Sequence, residues 1–254
     1  MLTFLNLIRE NEMQRKMWLY LVTAILSVCV LSLKVFGIPA STAKDVSVKQ
    51  DQFITFILDE SRMANQEILQ QRDEILKLYK IFQANQTLTV NQEIWLKEIA
   101  FEYKLADLNF SQNVAWQDLL TRVAPIPNSL VIAQAVNESA WGTSRFARNG
   151  NNYFGQWCYS QGCGLIPLQR DADGDYQLRT FPNALSSVKS YMNNLNTTEP
   201  YATFRHQREA LSNSGKPLTG LALVESLTSY SSKGSDYVTI IRDILIKYNL
   251  SQYD

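Results

Sequence analysis

The stretch LVIAQAVNESAWG, Leu130 to Gly142, decides how this chain is read. Its first half is apolar on every side of a helix, and a helix without a polar face is buried rather than amphipathic. Its polar end carries Glu138, followed by Trp141 and Gly142, where the helical pattern stops. A carboxyl group held against apolar surface is costly to ionise. The negative end of a helix dipole adds to that cost. A carboxylic acid that keeps its proton near neutrality can hand it to a leaving oxygen. Glu138 is therefore the candidate general acid; the plainer reading is a solvated glutamate or one that caps a nearby amide.

Upstream, Pro125-Ile126-Pro127-Asn128 ends the preceding segment, because proline disfavours helix at the residue before it. Ser129 is placed to cap the helix from Leu130 to Ser139. Residues 50–83 lack glycine and proline, and Phe53, Ile57, Ala64, Ile68, Ile75, Leu78 and Phe82 recur near helical spacing. That predicts one long amphipathic helix whose stripe packs on the domain behind it, with a coiled-coil dimer as the other use of such a stripe. Asn85-Gln86-Thr87 breaks it, and further helices are predicted over 90–103 and 114–122.

Downstream of Gly142 the pattern dissolves into glycine and asparagine. Residues 165–181 alternate weakly around Asp171-Ala172-Asp173-Gly174-Asp175, which predicts a β-hairpin with an Asp-Gly turn. The acidic turn does not match a calcium loop: Gly174 falls at the fourth position instead of the sixth, and Pro182 stands where the closing glutamate belongs. Helices are then predicted over 183–196, 207–212, 218–229 and 235–248. The fold class is mostly α with one small hairpin.

Met17 to Leu33 is an uncharged apolar run of 17 residues, preceded by Arg9, Arg15 and Lys16. A run of that length is at the lower end of what spans a bilayer, and the basic flank stays in the cytoplasm. The expected organisation is a cytoplasmic 1–16, a transmembrane anchor at 17–33, a linker at 34–49, a helical region at 50–94 and the main domain at 95–254. A cleaved signal peptide, cut near Ser41-Thr42-Ala43, is the alternative. Either places the main domain outside the cytoplasm, which in a bacterium means the periplasmic face of the inner membrane.

Lysine plus arginine and aspartate plus glutamate each total 24, so the net charge is zero and a nucleic-acid partner is not expected. A single histidine, His206, set among Arg205, Gln207 and Arg208, reads as a surface residue and excludes a His-rich metal site. Neither a metal nor a cofactor is expected. Three cysteines are too few for a disulfide scaffold. Cys158 and Cys163 can pair in an oxidising space and stiffen the rim of the site, whereas Cys29 lies in the apolar run.

The motif AQAVNESAWG (133–142), followed by NNYFG (151–155), resembles the signature of the glucosaminidase family, bacterial peptidoglycan hydrolases with a lysozyme-like fold. The resemblance runs over roughly 95–248. Trp95-Leu96, Phe154-Gly155-Gln156-Trp157-Cys158 and Gly162-Cys163-Gly164 are most similar to the Bax-type bacterial subgroup. The resemblance implies hydrolysis of a β-1,4 bond at N-acetylglucosamine in a peptidoglycan strand, with Glu138 as general acid. Asp171, the hairpin carboxylate nearest a strand, is the candidate for the second group, with Asp173 and Asp175 beside it. Tyr230 would orient a water and Tyr237 forms the other half of a tyrosine pair. The substrate contacts implied are Trp141, Asn152, Tyr153, Phe154, Gly155, Trp157, Tyr159 and Tyr237. Of these, Trp141 and Phe154 are expected in the core, and Trp157 and Tyr159 as sugar platforms. A muramidase or lytic transglycosylase acting on the same polymer, or a wall-binding protein without activity, would share these residues.

Overall fold

The computed structural model describes residues 43–168 and 176–254; the apolar run at 17–33 and the acidic turn with Asp171, Asp173 and Asp175 lie outside the described residues. The chain divides after Val48, and Lys49–Asp254 form one compact unit. This unit is mostly helical with a small antiparallel sheet. Among the described residues no helix is long and apolar enough to cross a membrane.

Helix α1 (Ala43–Asn85) is the long amphipathic element. Phe53, Ile57, Ala64, Ile68, Ile75 and Leu78 are buried and Phe82 is packed against the core, so the stripe lies on the domain behind it. Polar anchors fix its register. Ser61 donates to Asn128 Oδ1 at 2.7 Å. Asn65 donates to the Ile126 carbonyl at 2.8 Å and accepts from the Ile126 N–H at 3.0 Å. Arg72 donates to the carbonyl of Val123 at 2.8 Å. Helix α2 (Val90–Glu102) opens with a capping box between Thr89 and Gln92. Helix α3 (Asn113–Arg122) buries Trp116, on which Tyr79 and Phe82 of α1 stack.

Helix α4 (Asn128–Ser139) is buried without a break from Ser129 to Val136, as its all-round apolar character requires. Ser129 is not its cap. Pro127 holds that position, and Ser129 sits in the first turn, where its N–H and hydroxyl donate to the Asp254 carboxylate at 2.8 and 2.6 Å. The short α5 (Arg145–Gly150), capped by Ser144, occupies a stretch whose sequence carried no helical period.

The hairpin is one part of a three-stranded sheet in the order β1 (Trp157–Cys158), β3 (Gln177–Arg179), β2 (Gly164–Leu165). Trp157 pairs with Leu178 on one side of β3 and Leu165 pairs with Leu178 on the other. The two-residue β1 is too short to show alternation in sequence. Gly164 is required there, since a Cβ would lie 2.0 Å from the Leu178 carbonyl oxygen.

Helix α6 (Ala184–Thr197) follows, then α7 (Ala202–Asn213), α8 (Gly220–Leu223) and α9 (Ser235–Lys247). Helix α7 begins five residues before the stretch expected at 207, because a 3-10 turn at Glu199–Tyr201 feeds directly into it. The helix expected over 218–229 is the short α8 continued by a 3-10 turn, Val224–Leu227. His206 is exposed on α7. Arg208, two residues on and 2% exposed, donates to the carbonyls of Thr121, Ala124 and Pro125 and to Asn196 Oδ1. Burial, with the charges of Arg72 and Arg205 beside it, brings its guanidinium down to about 9.

Candidate active site

Glu138 is the penultimate residue of α4 and is half-buried. The helix stops directly after it. Ala140, Trp141 and Gly142 take φ of 50°, 60° and 71°, three successive left-handed residues of which only one is glycine. Such backbone is costly for residues with a Cβ and persists only where the surroundings hold it. Ser139 holds it here: its hydroxyl donates to the Ala135 carbonyl at 2.6 Å and accepts from the Gly142 N–H at 2.7 Å. The result leaves the Glu138 carboxyl in the last turn, with Asn137 Nδ2 donating to Oε1 at 3.0 Å.

The NNYFG loop comes to meet it. Asn152 is 2% exposed and spends its side chain on the loop's own backbone. Its Oδ1 accepts from the N–H groups of Phe154 and Gln156 at 3.3 and 3.0 Å, and its Nδ2 donates to the carbonyls of Gln156 and Arg179 at 2.8 and 2.9 Å. The loop so pinned presents Gly155, φ +65°, to the acid; a Cβ on Gly155 would lie 3.7 Å from Glu138 Oε2. Phe154 is buried and stacks on Tyr191, ring centroids 4.1 Å apart.

The charge of the carboxylate reaches four tyrosines: Tyr191 from α6, Tyr201 before α7, Tyr230 before α9 and Tyr237 on α9. Tyr230 stacks on Tyr237 at 5.3 Å and donates to the Phe154 carbonyl at 3.3 Å. Every one of the four phenols is pushed above its ordinary range, first by burial and also by the negative charge of Glu138. For Tyr237 a hydrogen bond with Glu138 adds to the rise, opposed by the one from Gln134. They are therefore neutral, proton-bearing groups at any physiological pH.

The remaining aromatics divide by direction. Trp141 packs edge-on against Tyr248 at 4.9 Å and Phe53 at 6.0 Å. Tyr153 meets Phe53 and Phe56 of α1 at 6.2 and 5.7 Å. Its phenol is raised by burial and by the charge of Glu60 on α1. Trp157 stays 54% exposed with one face stacked on Tyr176 at 4.5 Å, and Tyr159 is 71% exposed. Cys158 and Cys163 form a disulfide at the base of these two. Among the described residues no group of three His, Cys, Asp or Glu side chains is placed to hold a metal ion.

Several members of this arrangement carried no assignment from sequence: Gln134, Ser139, Tyr191 and Tyr201. Gln134 stands four residues before Glu138 and so on the same helix face, a spacing visible in the motif itself. Tyr191 and Tyr201 had no such mark, since their place beside the acid depends on how α6 and the turn after it pack. Asp171 lies outside the described residues.

The same region of the chain matches known proteins. The family described as Glucosaminidase, mannosyl-glycoprotein endo-beta-N-acetylglucosaminidase, matches residues 114–250, more than half of the chain. Protein bax of Escherichia coli (strain K12) is 39% identical over 142 residues, which are 56% of this chain and 50% of that protein. The chain thus aligns with about half the length of that relative.

Proposed function

The chain belongs to the glucosaminidase family, and from that premise we propose that it is a peptidoglycan hydrolase cutting the β-1,4 bond at N-acetylglucosamine. The observation that carries the reading is the Glu138 carboxyl at the end of a buried helix, faced by Gly155 and with four neutral tyrosines within reach of its charge. Glu138 donates its proton to the glycosidic oxygen as the C1–O bond breaks, and the bond's electron pair leaves with that oxygen. Water then attacks the anomeric carbon and gives its proton to the Glu138 carboxylate, which restores the acid. The relative is bacterial, and peptidoglycan is the bacterial polymer that offers this linkage in bulk.

Two routes serve the developing positive charge at the anomeric carbon. One uses Asp171 as a facing carboxylate, the separation of the two setting the stereochemical outcome. The other needs a single acid, with the substrate's own acetamido oxygen attacking and Tyr230 orienting the water. Among the described residues Glu138 is the only carboxylate whose charge reaches the four phenols. Trp157 and Tyr159 offer exposed aromatic faces to the sugar rings. Residues 17–33 would anchor the chain in the inner membrane with this unit in the periplasm, or release it there once cleaved.

Digestion of purified peptidoglycan by the full chain tests the reading. Mass spectrometry of the new ends is expected to find reducing N-acetylglucosamine. Reducing or anhydro N-acetylmuramic acid would reassign the bond to a muramidase or lytic transglycosylase, and no new ends would leave a wall-binding role.

A further inference from the structure

Gln134 is 0% exposed, in the middle of the buried stretch of α4. A buried amide has two donors and an acceptor to satisfy, and leaving them unpaired is costly. Two phenols take its oxygen and one of its N–H groups. The Tyr191 hydroxyl donates to Oε1. Nε2 donates to the Tyr237 hydroxyl oxygen at 2.8 Å. Tyr191 and Tyr237 come from α6 and α9, and both are at most 2% exposed, so water does not compete for these groups.

The directions in this chain of hydrogen bonds are linked. Because Tyr191 gives its proton to Oε1, the amide must turn Nε2 toward Tyr237. Because Nε2 occupies a lone pair of the Tyr237 oxygen, Tyr237 cannot give its own proton back to the amide. Glu138 lies one helical turn beyond Gln134 on the same face of α4. Its charge bears on Tyr237. With the amide side closed to it, the proton of Tyr237 is left to turn toward the carboxylate.

We propose that Gln134 is a positioning residue for the glycosidase reaction: held by Tyr191, it orients the Tyr237 hydroxyl so that its proton faces Glu138. The inference rests on the reading of Glu138 as the general acid. As Glu138 loses its proton to the leaving oxygen, the carboxylate gains charge, and a donor already aimed at it stabilises that charge without reorganising. Glutamine suits the position because it alone, at this length, presents an acceptor and a donor side by side. Glutamate would accept from both phenols and draw the Tyr237 proton away from Glu138. Methionine keeps the volume and offers neither group.

The test is a double-mutant cycle on the full chain, scored as kcat and KM on soluble glycan fragments with the melting temperature of each variant. Gln134→Met and Tyr237→Phe are each expected to lower kcat by about 100-fold, with KM changed less than twofold. The double variant is expected to be no slower than Tyr237→Phe alone, since the amide acts only through that hydroxyl. Tyr191→Phe, which frees Oε1 without emptying the core, supplies the same comparison should Gln134→Met not fold: it slows the parent and leaves the Tyr237→Phe enzyme unchanged. Losses that multiply in the doubles, or folded single variants with wild-type kcat, overturn the proposal. Glu138→Gln separates the two levels. If it retains activity, the general-acid reading fails; if it is inactive while the cycle is multiplicative, only the role of Gln134 fails.

Discussion

Gly155 holds its α-carbon so near Glu138 that a methyl group there would lie 3.7 Å from Oε2. Its φ of +65° is also one that side chains rarely tolerate. Gly155→Ala should therefore destabilise by about 1 kcal/mol through the backbone. It should also cost activity by roughly tenfold to a hundredfold, because the space beside the acid narrows. Thermal melts and kcat/KM on peptidoglycan fragments check both; an active, stable variant would remove the loop from the site.

Trp157 has one face on Tyr176 and keeps more than half its surface exposed, 54%. Trp157→Ala is expected to raise KM by a few-fold, up to about tenfold, through lost stacking on a sugar ring. The fold should hardly notice. An equal fall in kcat, or a large drop in melting temperature, would make this ring structural.

The buried phenols give the unit a defined alkaline limit. Tyr191, Tyr230 and Tyr237 all stand above the ordinary value of 10.0 in the folded state, so folded protein holds their protons where unfolded chain has begun to lose them. Stability from this source is complete below pH about 10 and falls as pH rises beyond it. Phenolate absorbance of these groups should appear together with loss of helical circular dichroism. Phenolate formation in a still-folded protein, beyond that of the exposed tyrosines, would contradict the burial assigned to them.

Asn65 on α1 pairs with both the N–H and the carbonyl of Ile126. Asn65→Leu leaves those groups buried and unpaired, at a cost of about 2 kcal/mol. Chemical denaturation would register it as a lower midpoint at unchanged slope. An unaffected midpoint would mean that α1 covers the domain without being clamped to it.

Periodicity made α1 and the burial of α4 legible, because an apolar stripe marks a helix buried on one side and an all-apolar run a helix buried all round. The pairing of β2 with β3 could be read from the weak alternation over 165–181. The third strand could not, since Trp157–Cys158 is two residues long and pairs only because the NNYFG loop delivers it to β3. Ser129 misled for a similar reason: it has the chemistry of a cap, but its hydroxyl is taken by Asp254, 125 residues away. Glu138 stands out in its motif by sequence alone. The set of four tyrosines was only half visible, since Tyr191 and Tyr201 arrive through tertiary packing that no local pattern records.

The central claim is that Glu138 gives the proton that breaks the glycan, and replacing it by glutamine in the full chain tests that most directly. Purified peptidoglycan incubated with Glu138→Gln, folded as the parent by circular dichroism, should release new reducing ends at a rate lower by about 100- to 10,000-fold. Release at the parental rate would contradict the account.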